Sequence, residues 1–318
     1  MIPPMTHPFV SIIVPCRTAD PQTQECIRRC NQLEYGRFEI IVLPDHECSL
    51  EGARVVATGP VSPGKKRNIG ASVARGEVLA YIDSDAYPRR DWLAKAVAHL
   101  ESDGVGAVGG PGITPPEDSV FAHAQGVILS SFLMGGISAR YAEKQSLEFS
   151  DDIHSVNLVA WKRVVEEAGG WNEDYWPGED TLFCLSLKRL GYKLLFARDV
   201  VVYHHRRGSW RGYLRQIWGY GLHRGFFAKR FPENSRRLKY FFPSLFLLGL
   251  VVGPLLSLVF PAMGWVFLGV IVIYFAAVLM QVLVNLKMGL MILLGLPLTH
   301  LTYGAAFLKG VLARRLSR

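Results

Sequence analysis

Short apolar runs alternate with longer segments of helical apolar spacing throughout the first 240 residues. The run at 78–82 is rich in strand-forming residues, which is typical of a strand buried on both faces of a parallel sheet. Similar runs predict strands at 9–14, 38–43, 53–57, 105–110, 193–197 and 200–203. Helices are predicted between them, one ending near 33, one opening at 62–64, and others at 88–100, 161–168 and 182–190. This alternation indicates an α/β domain, in which residues 111–154 are loop-rich and show no clear helix or strand pattern.

Beyond residue 240 the pattern becomes apolar almost throughout, and Lys287 is the single charged residue between 241 and 308. Two stretches, 241–260 and 264–284, are each long enough to cross a bilayer as a helix. A third apolar stretch, 288–308, is followed by basic residues, which favour the cytoplasmic side. Two spans plus a re-entrant or interfacial third segment place the basic residues on both flanks in the cytoplasm. Three full spans are the alternative.

Basic residues are concentrated just before this apolar region. The net charge is +8, and the window from His204 to Lys239 holds ten Lys or Arg residues against the single acid Glu233. Aromatic residues are interleaved with them, so we expect anionic lipid head groups as the partner and no nucleic acid. The segment 208–231 is predicted to be an interfacial helix, interrupted by glycines at 219 and 221.

The cysteines and the first residues bear on the compartment. The five cysteines include no Cys-x-x-Cys pair, and Cys26 and Cys30 are expected on one face of a helix. An odd number without a disulfide framework indicates a reducing compartment. The first residues lack the charged start and apolar run of a signal peptide, so we expect the globular part in the cytoplasm.

Carboxylates follow the predicted strands at the edge where open α/β sheets bind ligands. Asp83 and Asp85 come after the strand at 78–82 and project to the same side of an extended segment, so one hard divalent cation could lie between the two carboxylates and a pyrophosphate. The alternative is a turn that these residues only cap. Asp180, before the helix at 182–190, is either that helix's cap or a general base, or both. Neither Gly-x-Gly-x-x-Gly after the first strand nor a Walker loop is present, which disfavours dinucleotide-binding and P-loop enzymes.

An ordered set of short segments runs through residues 9–221. They are Val-Ser-Ile-Ile-Val-Pro at 10–15, Glu-Ile-Ile-Val at 39–42, Lys-Arg-Asn-Ile-Gly-Ala at 66–71, Ala-Arg-Gly-Glu-Val-Leu-Ala-Tyr-Ile-Asp-Ser-Asp at 74–85, Gly-Gly-Trp-Asn-Glu at 169–173 and Gly-Glu-Asp at 178–180. In this order they resemble the family 2 glycosyltransferases of GT-A fold. Within that family the chain is most similar to membrane-attached enzymes of bacterial exopolysaccharide and lipid-linked glycan assembly.

The resemblance implies a fold and a location. A GT-A-type nucleotide-sugar-binding domain, with a mixed, mostly parallel sheet flanked by helices, is expected at 1–207. Basic and aromatic interfacial helices are expected at 208–240, and a membrane domain at 241–318. The protein is then expected at a bacterial-type inner membrane, with its catalytic domain in the cytoplasm.

The resemblance also implies a donor site. Asp85 would hold Mg²⁺ or Mn²⁺ against the donor's diphosphate, Asp83 would face the ribose or a metal-bound water, and His204 or His205 would supply a third ligand. The remaining donor-binding residues would be Pro15, Arg17 and Asp45 around the base, Arg67 nearby, and Arg206 and Arg207 at the diphosphate. Many relatives carry other residues at the first and second strand ends, where this chain has Cys-Arg-Thr at 16–18 and Pro-Asp-His at 44–46, so the base stays open.

Asp180 matches the residue that takes the acceptor's proton in inverting members of the family. A sugar hydroxyl needs such a base and a phosphate does not, so we expect transfer to a polyprenyl-linked saccharide. A polyprenyl-phosphate monosaccharide synthase is the alternative, and a non-catalytic membrane-tethered binding protein is an alternative of another class. A nucleotidyltransferase has no evident use for Gly-Glu-Asp, and a processive synthase would carry Gln-x-x-Arg-Trp and more spans.

Overall fold

The computed structural model describes residues 7–134 and 148–316, which form two compact units. The first unit contains residues 7–115 and 148–205, and the second contains residues 116–134 and 206–316. The division at 205/206 lies close to the domain boundary expected at 207/208. Residues 116–134, which the sequence analysis assigned to the first domain, pack with the C-terminal helices.

The described strands of the first unit form an eight-stranded and a three-stranded sheet. In chain order they are β1 (Val10–Pro15), β2 (Phe38–Leu43), β3 (Arg54–Val55), β4 (Val78–Tyr81), β5 (Ala86–Pro88), β6 (Val105–Gly109), β7 (Gly112–Ile113), β8 (Glu148–Phe149), β9 (Leu158–Trp161), β10 (Lys193–Phe196) and β11 (Val202–His204). The large sheet has the order β3-β2-β1-β4-β9-β6-β10-β8, and β9 is antiparallel to both of its neighbours. The parallel strands β1, β2 and β4 therefore end at one edge, as the sequence predicted.

Helices cover both faces of the large sheet, where two apolar clusters form the core. The helices up to residue 189 are α1 (Pro21–Cys30), α2 (Pro63–Val73), α3 (Trp92–Leu100), α4 (Val120–Ser130), α5 (Lys162–Glu167) and α6 (Glu179–Arg189), of which α4 belongs to the second unit. Asp20 and Ser62 cap α1 and α2, each followed by a proline in the first turn. Cys26 and Cys30 are both buried on α1, as expected from their spacing.

The structure differs from the predicted local structure in three places. Pro88 ends strand β5 instead of opening a helix, and α3 begins at Trp92. The helix predicted at 161–168 is α5, and the residues just before it, 158–161, form strand β9, which was not predicted. Residues 111–154, which are loop-rich and have no helix or strand assigned from the sequence, contain β7 and α4, while residues 135–147 lie outside the described residues.

The second unit is helical beyond α4. Its C-terminal helices are α7 (Trp210–Arg230), α8 (Pro232–Ser235), α9 (Leu238–Val259), α10 (Pro261–Val284) and α11 (Gly289–Leu312). By length and composition alone, three segments could cross a membrane, Leu238–Val259, Pro261–Val284 and Leu286–Leu312. Only 11% of each of the first two windows is buried, against 50% of the third.

The predicted interruption of the interfacial helix is wrong, because α7 is continuous. Its glycines bring it close to α11 instead. A Cβ atom on Gly221 would lie 2.6 Å from the carbonyl oxygen of Tyr303, and one on Gly225 would lie 2.1 Å from that of Phe307. The two glycines therefore allow a backbone approach that any larger residue would block.

Candidate active site

Helix α2 presents consecutive residues of its Lys-Arg-Asn-Ile-Gly segment to different parts of the first unit. Lys66, buried, donates to the Asp45 carboxylate at 2.6 Å, to the Leu43 carbonyl at 3.0 Å and to the Thr58 hydroxyl at 2.8 Å. A Cβ on Gly70 would lie 2.7 Å from Ile13, so this glycine lets the helix pack directly on the sheet. The segment thereby fixes the loop after β2 against the helix.

Arg67 joins three distant parts of the chain. Its guanidinium donates to Asp83 at 2.8 Å, to Glu179 at 2.7 Å and to the Ser155 hydroxyl at 2.8 Å, and it lies over the Trp171 ring at 4.8 Å. Burial disfavours the charged guanidinium, but the two carboxylates outweigh this and raise the pKa of Arg67 above its ordinary value. Arg67 therefore holds Asp83, two residues beyond the end of β4, and the start of α6 in one fixed arrangement.

The loop after α5 is fixed by the next residue of α2. The Asn68 side chain donates to the Trp171 carbonyl at 2.9 Å and accepts from the Trp171 amide at 2.7 Å. A Cβ on Gly64 would lie 2.3 Å from the Asn172 carbonyl oxygen, so the first turn of α2 also packs tightly on this loop. The sequence segments at 66–71 and 169–173 therefore contact each other in the fold.

Asp83, Asp85 and His204 form a cluster at the carboxyl end of β4. Ligand atoms from these three half-buried residues lie within 4.8 Å of one another, and His204 Nε2 is 3.3 Å from Asp85 Oδ1. The cluster forms because β5 pairs with β11, which places His204 opposite Ala86. His205 donates its backbone amide to the Asp85 carbonyl, while its ring nitrogen lies 3.5 Å from the Glu25 carboxylate. Of the two histidines considered from the sequence, the cluster contains His204.

Asp180 lies in the first turn of α6. Gly178 precedes the helix with a φ of +113°, a left-handed conformation that favours glycine. Because glycine has no side chain, the residue before the helix cannot cap it with one. The Asp180 carboxylate accepts from the Thr181 amide at 2.7 Å, so it satisfies one of the free amides of this helix end. The interpretation of Asp180 as a helix cap therefore holds only in this limited sense.

Both neighbours of Asp180 are anchored. Glu179 is 4% exposed and paired with Arg67, and the Thr181 hydroxyl donates to the buried Asp152 at 3.0 Å. Asp180 itself is half-buried. Of the two adjacent carboxylates, Glu179 is committed to an internal ion pair, and Asp180 is the more exposed.

The structure brings together the residues predicted around the nucleobase of the donor. Pro15 ends β1 opposite Leu43, and the Asp45 amide donates to the Arg17 carbonyl at 3.0 Å. Burial raises the pKa of the adjacent Cys16 thiol to about 11, so this thiol is neutral. Arg67 contacts Asp83 directly, and the basic partner of Asp45 is Lys66.

The two arginines predicted at the diphosphate begin the second unit. Arg206 is half-buried and Arg207 is exposed, and they follow His205 directly in the chain. The Gln125 amide of α4 donates to the Arg207 carbonyl at 2.6 Å. Their role at the diphosphate stays a prediction.

Several residues of this network were not singled out from the sequence. They are Lys66, Asp152, Ser155, Trp171 and Glu179. Two signals were available: the consecutive cations at the buried start of α2, and Glu179 inside Gly-Glu-Asp. Ser155 lies 88 positions from Arg67 in the chain, and Trp171 lies further still. Asp152 lies on a segment without a motif.

The three-residue cluster has a donor set that fits a divalent cation. Carboxylate oxygens suit Mg²⁺ and Mn²⁺, and an imidazole is a common additional ligand. Among the described residues, this is the group of three potential ligands close enough together to hold an ion. The ion pair between Arg67 and Asp83 offsets part of the negative charge of the cluster.

Comparison with known proteins identifies the class of enzyme to which this fold belongs. The model of glycosyl transferase family group 2 matches residues 78–304, well over half of the chain. The chain therefore belongs to this family of enzymes, and the resemblance expected from the sequence is confirmed. A mannosyltransferase from Pyrobaculum calidifontis, PcManGT, solved in complex with GDP-Man and Mn²⁺, shares the fold with a TM-score of 0.60. It is 19% identical, and the match covers 98% of this chain and 89% of that one.

Named relatives are 23–27% identical to this chain. Glycosyltransferase AglE of Haloferax volcanii is 27% identical over 64% of this chain and 68% of its own. A Methanococcus voltae enzyme, named a dolichyl N-acetyl-α-D-glucosaminyl phosphate 3-β-D-2,3-diacetamido-2,3-dideoxy-β-D-glucuronosyltransferase, is 23% identical over 79% of this chain and 84% of its own. The pre-mycofactocin glycosyltransferase of Mycobacterium tuberculosis is 24% identical over 73% of this chain, which spans half of that relative's length.

Proposed function

We propose that the protein is an inverting glycosyltransferase that moves a sugar from a nucleotide-diphosphate donor to a hydroxyl of a saccharide on polyprenyl diphosphate. The reaction takes place at the cytoplasmic face of a bacterial-type inner membrane. The observation that carries the proposal is the Arg67 bridge. It ties the carboxylate pair at the end of β4 to the turn of α6 that bears Asp180.

The donor half of the proposal rests on the cluster at the end of β4. Asp83, Asp85 and His204 would hold Mg²⁺ or Mn²⁺, and the bound cation would neutralise the diphosphate that leaves. The likeness to a mannosyltransferase solved with GDP-Man and Mn²⁺ supports a nucleotide-sugar donor. Pro15, Arg17 and Asp45 would bind the base, while the adjacent cations Arg206 and Arg207 would contact diphosphate oxygens.

The acceptor half rests on the exposure of Asp180. Its carboxylate takes the proton of the acceptor hydroxyl while the hydroxyl oxygen bonds to the anomeric carbon and the bond to the diphosphate oxygen breaks. Attack opposite the leaving group inverts the anomeric carbon. Glu179 cannot serve equally, because it is buried and paired with Arg67. A positioned base contributes about 10²- to 10⁴-fold to such a step.

The class of acceptor is supported by one relative and by the membrane helices. The name of the Methanococcus voltae enzyme describes transfer to a sugar on dolichyl phosphate. Apolar helices long enough to span a membrane suit an enzyme whose acceptor is anchored in lipid. A general base also favours a hydroxyl acceptor over a phosphate, which is already nucleophilic at neutral pH.

The test is a donor and acceptor screen with the purified full-length protein. A panel of nucleotide sugars is incubated with Mn²⁺ or Mg²⁺, and release of nucleotide diphosphate is measured with each of two acceptors. We expect release that depends on a polyprenyl-diphosphate saccharide and not on polyprenyl phosphate. Transfer to polyprenyl phosphate would instead establish a monosaccharide synthase. If neither acceptor supports transfer from any donor, the proposed acceptor class is wrong.

A further inference from the structure

The helices α9 and α10 form an antiparallel hairpin within the second unit. Phe260 alone separates them, and a Cβ on Gly253 would lie 2.4 Å from the Phe267 ring. Further from the tip, the rings of Phe246 and Tyr274 stack with centroids 4.2 Å apart. The start of α9 and the end of α10 therefore lie at the same end of the hairpin, which we call the foot.

Both ends of α11 contact this foot. At its start, a Cβ on Gly289 would lie 3.0 Å from Val282, two residues before α10 ends. Near its other end, the Ser244 hydroxyl donates to the Gly304 carbonyl, and the rings of Phe241 and Phe307 are 4.8 Å apart. These last contacts fall in the first two turns of α9.

The middle of α11 contacts the middle of α10. His300 Nε2 lies 3.0 Å from the Leu133 carbonyl and therefore donates to it, so Nδ1 accepts from the Tyr274 hydroxyl at 2.8 Å. A spanning helix that started at the foot would have its last turns near the hairpin tip, about 30 Å away. The contacts of Gly304 and Phe307 with the start of α9 exclude that course for α11.

The partner of α11 on its other side is α7, and the two helices run parallel. Contacts follow in register along both: the Tyr213 hydroxyl is 2.8 Å from the Thr299 hydroxyl, and Lys229 donates to the Val311 carbonyl at 2.9 Å. Helix α7 exposes several cations, Arg211, Arg215, Lys229 and Arg230. Because such a helix does not cross hydrocarbon, α11 beside it lies at the same depth.

We infer that α11 does not cross the bilayer and that the α7–α11 pair lies on the membrane surface at the foot of the α9–α10 hairpin. The surface partner is a lipid bilayer. Leu290, Leu294 and Leu298 form an exposed stripe on α11 that enters the acyl boundary. The cations before α9 and after α11 then meet lipid phosphates on one side, the side that basic residues favour.

Depth measurement by electron paramagnetic resonance tests the surface position directly. A nitroxide is attached to Leu298→Cys near the middle of α11, and to Val270→Cys near the middle of α10 as the matched control, in reconstituted vesicles. Both side chains are exposed, at 40% and 53%. Wild-type protein treated in the same way is the control for nitroxide attached to the native cysteines, most of which are buried. We expect the Val270 label near the bilayer centre and the Leu298 label within about 5–10 Å of the head groups.

Sidedness gives a second, independent measurement. An impermeant maleimide is applied to either face of sealed membranes carrying Glu233→Cys, Ala262→Cys or Arg314→Cys, all at exposed positions. Arg314→Cys should react from the same side as Glu233→Cys, and Ala262→Cys from the other. A reporter fused after Arg318 should report the side of Glu233. An α11 label at the bilayer centre would overturn the inference. So would Arg314→Cys that reacts with the maleimide from the same side as Ala262→Cys. Neither result would bear on the sugar-transfer chemistry.

Discussion

The two units bury polar groups in different ways. The first unit buries several charged side chains, and Lys66, Arg67 and Glu179 are each joined to a partner of opposite charge. Among the described residues of the second unit, no Lys, Arg, Asp or Glu is buried. Its buried polar contacts are neutral ones, such as His300 with Tyr274 and Tyr213 with Thr299.

This difference separates two tasks. Buried ion pairs are weak contributors to stability, because desolvation offsets their attraction, so a fold that keeps them gains something other than stability. In the first unit they orient Asp45, Asp83 and Glu179, beside the residues to which the proposed function assigns the transfer. In the second unit, close backbone contacts at glycines fix helices whose outer faces are apolar and exposed. Changes in the first unit should therefore alter chemistry, and changes in the second should alter helix packing.

Loss of a cluster carboxylate should have the largest effect. In Asp85→Ala, the donor's diphosphate would face Asp83 with less neutralisation, so we expect donor binding and transfer to fall below detection. Calorimetry with a nucleotide sugar and Mn²⁺ measures this, and EDTA on the wild-type protein should have the same effect. Asp103→Ala, an exposed carboxylate elsewhere in the first unit, is the matched control. Tight donor binding that persists in EDTA would contradict the metal assignment.

Replacement of Asp180 should affect turnover and not donor binding. Asp180→Asn is nearly isosteric and keeps an oxygen that can accept from the Thr181 amide, so the fold should survive. We expect kcat to fall by about 10²-fold or more, with donor Kd unchanged. Asp174→Asn, in the loop before α6, controls for loss of a nearby carboxylate. Transfer at close to the wild-type rate would remove Asp180 as the base and make a phosphate acceptor the leading hypothesis.

Local patterns predicted the elements that bear the site better than the contacts that hold it. Asp45, Asp83 and Asp85 were predicted at one edge because parallel strands end together, and the structure places them there. The pairing of Arg67 with Glu179 joins positions 112 residues apart, and no local spacing encodes such a contact. Strand β9 was missed for a related reason, since its strand character depends on insertion between β4 and β6.

The consecutive cations of α2 allow a comparison inside the first unit. Arg67→Met leaves Glu179, with 5% of its side chain exposed, without its cation, so we expect a loss of about 3–5 kcal/mol in the free energy of unfolding. Lys66→Met should destabilise less, because Asp45 keeps 17% exposure and can be hydrated. Urea denaturation measures both. Adding Glu179→Leu to Arg67→Met should restore part of the lost free energy of unfolding. If it does not, the unpaired Glu179 is not the cause of the destabilisation.

The smallest expected effect tests the glycine contacts of the second unit. A methyl group on Gly225 would lie 2.1 Å from the Phe307 carbonyl oxygen, so Gly225→Ala must push α7 away from α11. Overpacking of this kind costs about 1–3 kcal/mol, which lowers Tm by roughly 2–4 °C per kcal/mol in a chain of this size. Gly269→Ala in α10 is the matched control, because no atom lies within 4 Å of the added methyl group. That change should leave Tm unchanged or raise it slightly, since alanine favours a helix by up to about 1 kcal/mol over glycine. Thermal unfolding in detergent compares the two variants. Equal melting temperatures would show that the α7–α11 contact does not depend on close backbone approach, and the contrast drawn between the two units would then be wrong.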